Sequence, residues 1–126
     1  MAKVLMVDDD MLLLQVTCDF LESRGHSVVR CGDPTEAMSL AEASVPEIAI
    51  IDYEMPRLNG TQLLALLRQT ESTRALPVIF LSGVDALRFA AQVPPDPRAR
   101  FLHKPVDFGI LDAAIAELLS PDGWSA

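Results

Sequence analysis

The chain contains the stretch Ile48-Ala49-Ile50-Ile51-Asp52, in which four apolar residues run without interruption and end at an acid. The stretch lacks the apolar and polar alternation of a strand with one solvated face, so it is typical of a strand covered on both sides. Similar runs occur at residues 4–7, 78–81 and 101–103. These runs predict a parallel sheet with both faces buried.

The segments between the runs have the apolar spacing of amphipathic helices. The last helix, over residues 107–119, is predicted from one stripe: Leu111, Ala114, Ile115, Leu118 and Leu119. The first is predicted from Leu13, Val16, Phe20 and Leu21, and the third from Leu63, Leu64 and Leu67.

Helix ends define the remaining two helices. Asp33 can cap the second helix, Pro34 fits its first turn, and Glu36 can reach back to the Asp33 amide. The fourth helix is short, about residues 85–92, because the prolines at 94, 95 and 97 cannot continue a helix. Strand and helix thus alternate five times, which predicts an α/β domain with a doubly wound sheet and a ligand site beyond the carboxyl ends of its strands.

Composition indicates one domain with a single core. Half of the 126 residues are hydrophobic (50%), which is enough for one core at this length. We assign residues 1–120 to the domain and 121–126 to a tail or the start of a linker. Cys18 and Cys31 have neither metal-site nor disulfide spacing, so we interpret them as packing residues in a reducing compartment.

The net charge of −8 argues against direct nucleic-acid binding by this domain and favours cations as ligands. No apolar run approaches the roughly 20 residues of a membrane span. The start Met1-Ala2-Lys3 leads straight into a predicted strand rather than a signal peptide. We therefore expect a cytoplasmic protein without membrane association.

Charged and hydroxylic side chains stand where the predicted strands end: Asp8 with Asp9, Asp52, Ser82 and Lys104. Two carboxylates ~4 Å apart repel by about 4 kcal/mol near a protein surface, so converging acids need a cation. Mg²⁺ suits them, because it binds through one or two carboxylates plus a phosphate. A carboxylate beside Mg²⁺ and a lysine can attack a phosphoryl group, with the Ser82 hydroxyl donating to a phosphoryl oxygen. The predicted product is an aspartyl phosphate on Asp52.

Four motifs closely resemble the signatures of two-component response-regulator receiver domains. They are Val-Asp-Asp-Asp at 7–10, Ile-Asp-Tyr-Glu-Met-Pro-Arg-Leu-Asn-Gly at 51–60, Leu-Ser-Gly at 81–83 and His-Lys-Pro at 103–105. The resemblance covers residues 3–119 in the family's order and spacing. It implies a flavodoxin-like (βα)5 fold with strand order 2-1-3-4-5.

The resemblance also implies a role for each matching position. Asp52 matches the phosphoacceptor, Lys104 the phosphate-binding lysine, and Ser82 the switch hydroxyl. For Mg²⁺, it implies direct ligands from Asp9, Asp52 and the backbone carbonyl of Glu54, with Asp8 acting through bound water and Mn²⁺ or another divalent ion able to substitute. Phe101 matches the aromatic that follows the switch, and Lys104-Pro105 matches the family's cis peptide. Asp10 is better explained as a helix cap.

The implied function is a signalling switch whose only chemistry is Mg²⁺-dependent self-phosphorylation and autodephosphorylation. A histidine kinase or histidine phosphotransfer protein would supply the phosphoryl group to Asp52. The face formed by the fourth helix, fifth strand and fifth helix would then change its binding to an unknown downstream protein.

Two other functions share part of this pattern. Haloacid dehalogenase-type phosphatases also form an aspartyl phosphate, but they carry the nucleophile after the first strand and need cap insertions, for which this chain has no segment. A pseudo-receiver that never binds phosphate is the other alternative, and the full set of site residues speaks against it. Glu54 places a side-chain carboxylate two residues after the phosphoacceptor, where many members of the family carry an amide or an apolar group, and it adds negative charge near the site.

Overall fold

Five parallel strands alternate with five α-helices over residues 2–120, the part of the chain that the computed structural model describes. The strands are β1 Lys3–Val7, β2 Ser27–Cys31, β3 Ile48–Asp52, β4 Val78–Ser82 and β5 Ala99–His103. The helices are α1 Met11–Ser23, α2 Ala37–Ser44, α3 Gly60–Gln69, α4 Ala86–Gln92 and α5 Phe108–Leu119, and a 3-10 turn, Pro34–Glu36, precedes α2. The sheet order is β2-β1-β3-β4-β5, which confirms the predicted fold. The predicted tail at 121–126 lies outside the described residues.

Burial of the strands follows their place in the sheet. Every residue of β3 and β4 is buried, and in β1 only Lys3 is partly exposed. The edge strands β2 and β5 are largely half-exposed. This is why the four-residue apolar runs lie in the central strands, whereas β2 contains Ser27 and Arg30 and β5 contains Arg100 and His103.

The two faces of the sheet carry separate cores. On one face, α1 and α5 pack against Val4, Met6, Ile50, Ile79 and Leu81. On the other, α2 and α3 pack against Leu5, Val7, Ile51, Val78 and Phe80. The predicted stripe of α5 is confirmed, since Leu111, Ile115 and Leu118 are buried.

The face predicted for α1 is partly wrong. Val16 is 43% exposed and Leu13 is half-buried, whereas the buried residues are Leu14, Thr17, Cys18 and Leu21. The first turn is apolar on every side, from Met11 to Leu14, so the apolar period alone could not select the inward face.

Aspartate caps begin four of the helical segments. Asp10 accepts hydrogen bonds from the amides of Leu12 and Leu13, and Asp85 caps the short α4 through the Arg88 amide. Both agree with the predicted boundaries. Asp33 also forms a cap by accepting from the Thr35 amide, but it caps the 3-10 turn before α2 and not, as was predicted, α2 itself. The predicted return bond from Glu36 to the Asp33 amide is not formed in the described structure, because the segment after Asp33 begins as a 3-10 turn.

An ion pair anchors the proline-rich loop before β5. Arg68 Nε donates to Asp96 Oδ2 at 2.7 Å, and Arg68 Nη1 donates to the Leu76 carbonyl at 2.7 Å. Both side chains are mostly buried, with 21% and 15% exposed. Burial opposes ionisation of Asp96, but the hydrogen bonds from Arg68 and from the Arg98 amide hold its pKa below the usual value. The pair therefore joins the end of α3 to the loop that leads into β5.

Arg68→Met should lower the free energy of unfolding by about 2 kcal/mol, because it leaves the Asp96 carboxylate and the Leu76 carbonyl without their donor. Arg74→Met, at an exposed arginine in the turn after α3, is the matched control. Urea unfolding of both variants measures the difference. Equal free energies of unfolding for the two variants would show that the ion pair between Arg68 and Asp96 does not stabilise the protein.

Candidate functional site

The fold brings the predicted site residues to one edge of the sheet. Asp8 directly follows β1, Asp52 ends β3, Ser82 ends β4 and Lys104 follows β5. The strand register aligns Asp52 with Leu81 and Ser82 with His103, so these strands end at the same level. The Lys104 amide donates a 2.8 Å hydrogen bond to the Ser82 carbonyl, which holds these two residues side by side.

Three carboxyl groups converge at this edge, those of Asp8, Asp9 and Asp52. Each offers an oxygen, and the three oxygens lie within 4.8 Å of one another. Asp8 and Asp52 are buried, whereas Asp9 is exposed. Asp8 Oδ1 accepts from the Asp10 amide at 2.9 Å, but the buried Asp8 Oδ2 has no hydrogen-bond partner among residues 2–120. A buried carboxylate oxygen without a donor, beside two further carboxylates, suits a hard divalent cation.

The charges at this edge perturb one another. Burial, assisted by the charge of Asp52, raises the pKa of Asp8 to about 7. Burial also raises the pKa of Asp52, although Lys104 opposes the change. Lys104 Nζ donates to Asp52 Oδ1 at 2.8 Å. Burial lowers the pKa of Lys104, but the bond and charge of Asp52 outweigh it, and the net direction is upward. The lysine therefore stays charged beside acids that hold protons unusually well.

Glu54 takes part through a contact that the sequence reasoning missed. Its carboxylate accepts from Ser82 Oγ at 2.5 Å and from the Gly83 amide at 2.7 Å. The family resemblance implies a role for Glu54 only through its backbone carbonyl and indicates no partner for its side-chain carboxylate. The usable signals were a carboxylate two residues after Asp52 and a residue without Cβ at position 83.

An aromatic cluster runs from the site toward α4 and β5. Tyr53, directly after Asp52, packs against Phe80 and Phe89, with ring centroids 5.7 and 5.2 Å away. Phe89 in turn packs on the half-buried Phe101 at 4.6 Å. The Tyr53 hydroxyl donates to Gln92 Oε1 of α4 at 2.9 Å. Phe101 was predicted as part of the switch, but Tyr53 was not singled out.

Two further expectations are met. The Lys104–Pro105 peptide bond is cis, and both cysteines are free and buried. Across residues 2–120, no helix has the length and apolar character needed to cross a membrane.

Comparison with known proteins identifies one family. A family model described as response regulator receiver domain matches residues 4–116. PilH of Pseudomonas aeruginosa is 31% identical over 107 residues, which cover 85% of this chain and 88% of PilH. The sensor kinase CckA of Brucella abortus is 32% identical over 120 residues, 94% of this chain but only 12% of CckA. The crystal structure of a response regulator receiver domain protein from Clostridium thermocellum has a TM-score of 0.81 at 27% identity and covers 94% of both chains.

Proposed function

The chain belongs to the response regulator receiver domain family, the receivers of two-component signalling, and we propose that it works as a phosphoacceptor switch through Asp52. The observation that carries this proposal is the buried Asp52 carboxylate, held by Lys104 Nζ at 2.8 Å with the oxygens of Asp8 and Asp9 close by. This arrangement combines a nucleophilic carboxylate, a fixed positive charge and acids suited to a divalent cation.

The phosphoryl transfer follows from the two oxygens of Asp52. Lys104 occupies Oδ1, which leaves Oδ2 as the nucleophile. Oδ2 forms a bond to phosphorus as the P–N bond of a phosphohistidine breaks, and the imidazole nitrogen leaves in line with the attack. Lys104 then donates to a phosphoryl oxygen. The donor is a histidine kinase or histidine phosphotransfer protein, a class consistent with the sensor kinase among the relatives.

A divalent cation fits the same edge of the sheet. The carboxylates of Asp9 and Asp52 and the backbone carbonyl of Glu54 would hold Mg²⁺, with Asp8 acting through bound water. When bound, the ion would neutralise negative charge on the phosphoryl oxygens. The unpartnered Asp8 Oδ2 supports this assignment.

Asp9→Ala should weaken Mg²⁺ binding more than Asp8→Ala, because Asp9 is assigned as the direct ligand. For Asp8, a position in the outer shell implies a loss of about 10–100-fold. Titration calorimetry with Mg²⁺ ranks the two variants. The opposite ranking would exchange the two roles and make Asp8 the direct ligand.

The output of the switch lies on the face formed by α4, β5 and α5. Phosphorylation adds about −1.5 to −2 charges at Asp52, and Ser82 ends the neighbouring strand. Movement of Ser82 toward the phosphoryl group would alter the packing of Phe101. The contacts from Tyr53 through Phe89 to Phe101 offer a second connection between the residue after Asp52 and this face. An unidentified downstream protein would read the change.

Intact-mass measurement after incubation with acetyl phosphate and Mg²⁺ tests the proposed function. The expected result is the gain of one phosphoryl group, and EDTA should suppress it. A mass unchanged in the presence of Mg²⁺ would favour the pseudo-receiver alternative, in which the domain binds partners without being phosphorylated.

A further inference from the structure

The carboxylate of Glu54 lies where two hydrogen-bond donors at the end of β4 converge. One donor is the buried hydroxyl of Ser82, at 2.5 Å from Oε2, and the other is the amide of Gly83, at 2.7 Å from Oε1. The two donors are consecutive in the chain and serve the two oxygens of one carboxylate. The end of β4 is therefore shaped as a small oxyanion site, and Glu54 occupies it.

A phosphoryl group on Asp52 would seek the same donors. Asp52 and Ser82 end adjacent strands, and the register pairs Asp52 with Leu81, the residue before Ser82. The oxygens of a phosphoryl group are acceptors only, as are those of a carboxylate, and charged acceptors form the stronger hydrogen bonds. Because the Ser82 hydroxyl has a single proton, it cannot donate to Glu54 and to a phosphoryl oxygen at once.

The local geometry allows Glu54 both to occupy this position and to leave it. A Cβ at position 83 would lie 3.3 Å from Glu54 Oε1, tighter than an ordinary contact, so glycine leaves room for the carboxylate. Glu54 itself is exposed. Its side chain can therefore turn into solvent without breaking the core.

We propose that Glu54 is an internal mimic of the phosphoryl group, which holds the Ser82 and Gly83 donors in the resting protein and competes with phosphorylation of Asp52. The inference rests on the proposed function, since it needs Asp52 to be the phosphoacceptor. As a consequence, the incoming phosphoryl group must displace the Glu54 carboxylate before it can accept hydrogen bonds from Ser82 and Gly83.

The resting contact is tested by NMR of the unphosphorylated protein. The Gly83 amide proton should resonate downfield in wild type because of its charged acceptor, and Glu54→Ala should move it upfield. Glu71→Gln, which removes one acid from the exposed turn after α3, should leave it unchanged. A Gly83 resonance that is the same in wild type and Glu54→Ala would overturn the proposal, because the contact would be absent in solution.

Competition is tested with fluoroberyllate, a tetrahedral phosphoryl analogue, titrated at saturating Mg²⁺. Glu54→Ala should bind it about tenfold more tightly than wild type, the scale expected when a charge-assisted competitor is removed. Glu54→Gln, which keeps an acceptor oxygen but no charge, should show a smaller gain, and Glu71→Gln should match wild type. Equal affinities for wild type and Glu54→Ala would overturn the competition.

A double-mutant cycle separates this contact from simple charge repulsion. The gain from Glu54→Ala should shrink in a Ser82→Ala background, because one of the two shared donors is already gone. An undiminished gain would show that Glu54 acts only through its charge and would overturn the proposal. If wild type neither binds fluoroberyllate nor takes a phosphoryl group, the proposed function itself fails, and the Gly83 resonance still reports on the contact.

Discussion

Asp52→Asn should gain no phosphoryl group from acetyl phosphate and Mg²⁺ under conditions in which wild type is phosphorylated. The amide keeps the size of the side chain and an oxygen for Lys104, but it removes the nucleophilic carboxylate. Asp52 is 3% exposed, and burial raises the pKa of its carboxyl, so the ionised group is costly in the folded state. Its replacement by a neutral amide should therefore not unfold the domain. Intact mass measures phosphorylation, and circular dichroism confirms folding.

Asp19→Asn is the matched control, since it makes the same chemical change on the exposed side of α1. It should be phosphorylated to the wild-type extent. Asp8 and Asp9 are the acids able to replace Asp52 as acceptor, because their oxygens share its cluster. A phosphoryl adduct on Asp52→Asn, mapped to either residue by peptide mass analysis, would contradict the assignment.

The sequence predicted the fold well because the signals were redundant. Ile48–Ile51 and Val78–Leu81 each predict a strand buried on both faces, and the polar residues after them, Asp52 and Ser82, predict a site at one edge of the sheet. The inward face of α1 could not be predicted, because its first turn is apolar all round. The packing of α1 against β1 and α5 determines which of its faces is buried, and the apolar periodicity of α1 alone does not indicate that face.

In the site, too, the sequence predicted the residues at the strand ends but not the contact of a loop side chain. Asp8, Asp52, Ser82 and Lys104 are located by backbone register, which the apolar runs define. The direction of the Glu54 side chain depends on a loop, on the missing Cβ of Gly83 and on the donor pair at the end of β4. Such a contact involves residues 28 and 29 positions apart, and neither motif alone indicates it.

The Glu54 contact changes the energetics expected of switching. To move a two-state equilibrium from 1:99 to 99:1 takes roughly 5.5 kcal/mol of differential interaction. A new charge-assisted hydrogen bond from Ser82 would supply about 1.5–3 kcal/mol, but here the hydroxyl already donates to a carboxylate. The exchange of one charged acceptor for another yields less than a new bond, so Lys104 and the repacking of Phe101 would have to supply more of the difference.

The second large effect concerns Asp8 and the stability of the metal-free protein. The pKa of the Asp8 carboxyl, about 7 in the folded protein, is above its ordinary value of 3.8 because the group is buried. Between these pH values the folded state binds more protons than the unfolded state, so the free energy of unfolding falls as the pH rises. We expect a loss of about 2–4 kcal/mol from pH 4 to pH 7 in EDTA, most of it recovered when Mg²⁺ binds the folded state.

Asp8→Asn should therefore be more stable than wild type at pH 7 in EDTA, by about 2 kcal/mol, because it replaces a buried charge with a neutral group that keeps the acceptor for the Asp10 amide. Its stability should also depend less on pH and on Mg²⁺. Asp9→Asn is the control, since Asp9 carries the same charge in an exposed position and its replacement should change stability by less than about 0.5 kcal/mol. Urea unfolding at pH 4 and pH 7, with and without Mg²⁺, measures all three proteins. If Asp8→Asn were less stable than wild type at pH 7 without the metal, the Asp8 carboxylate would be stabilising the fold. The loss of stability that a buried cation site implies would then be absent.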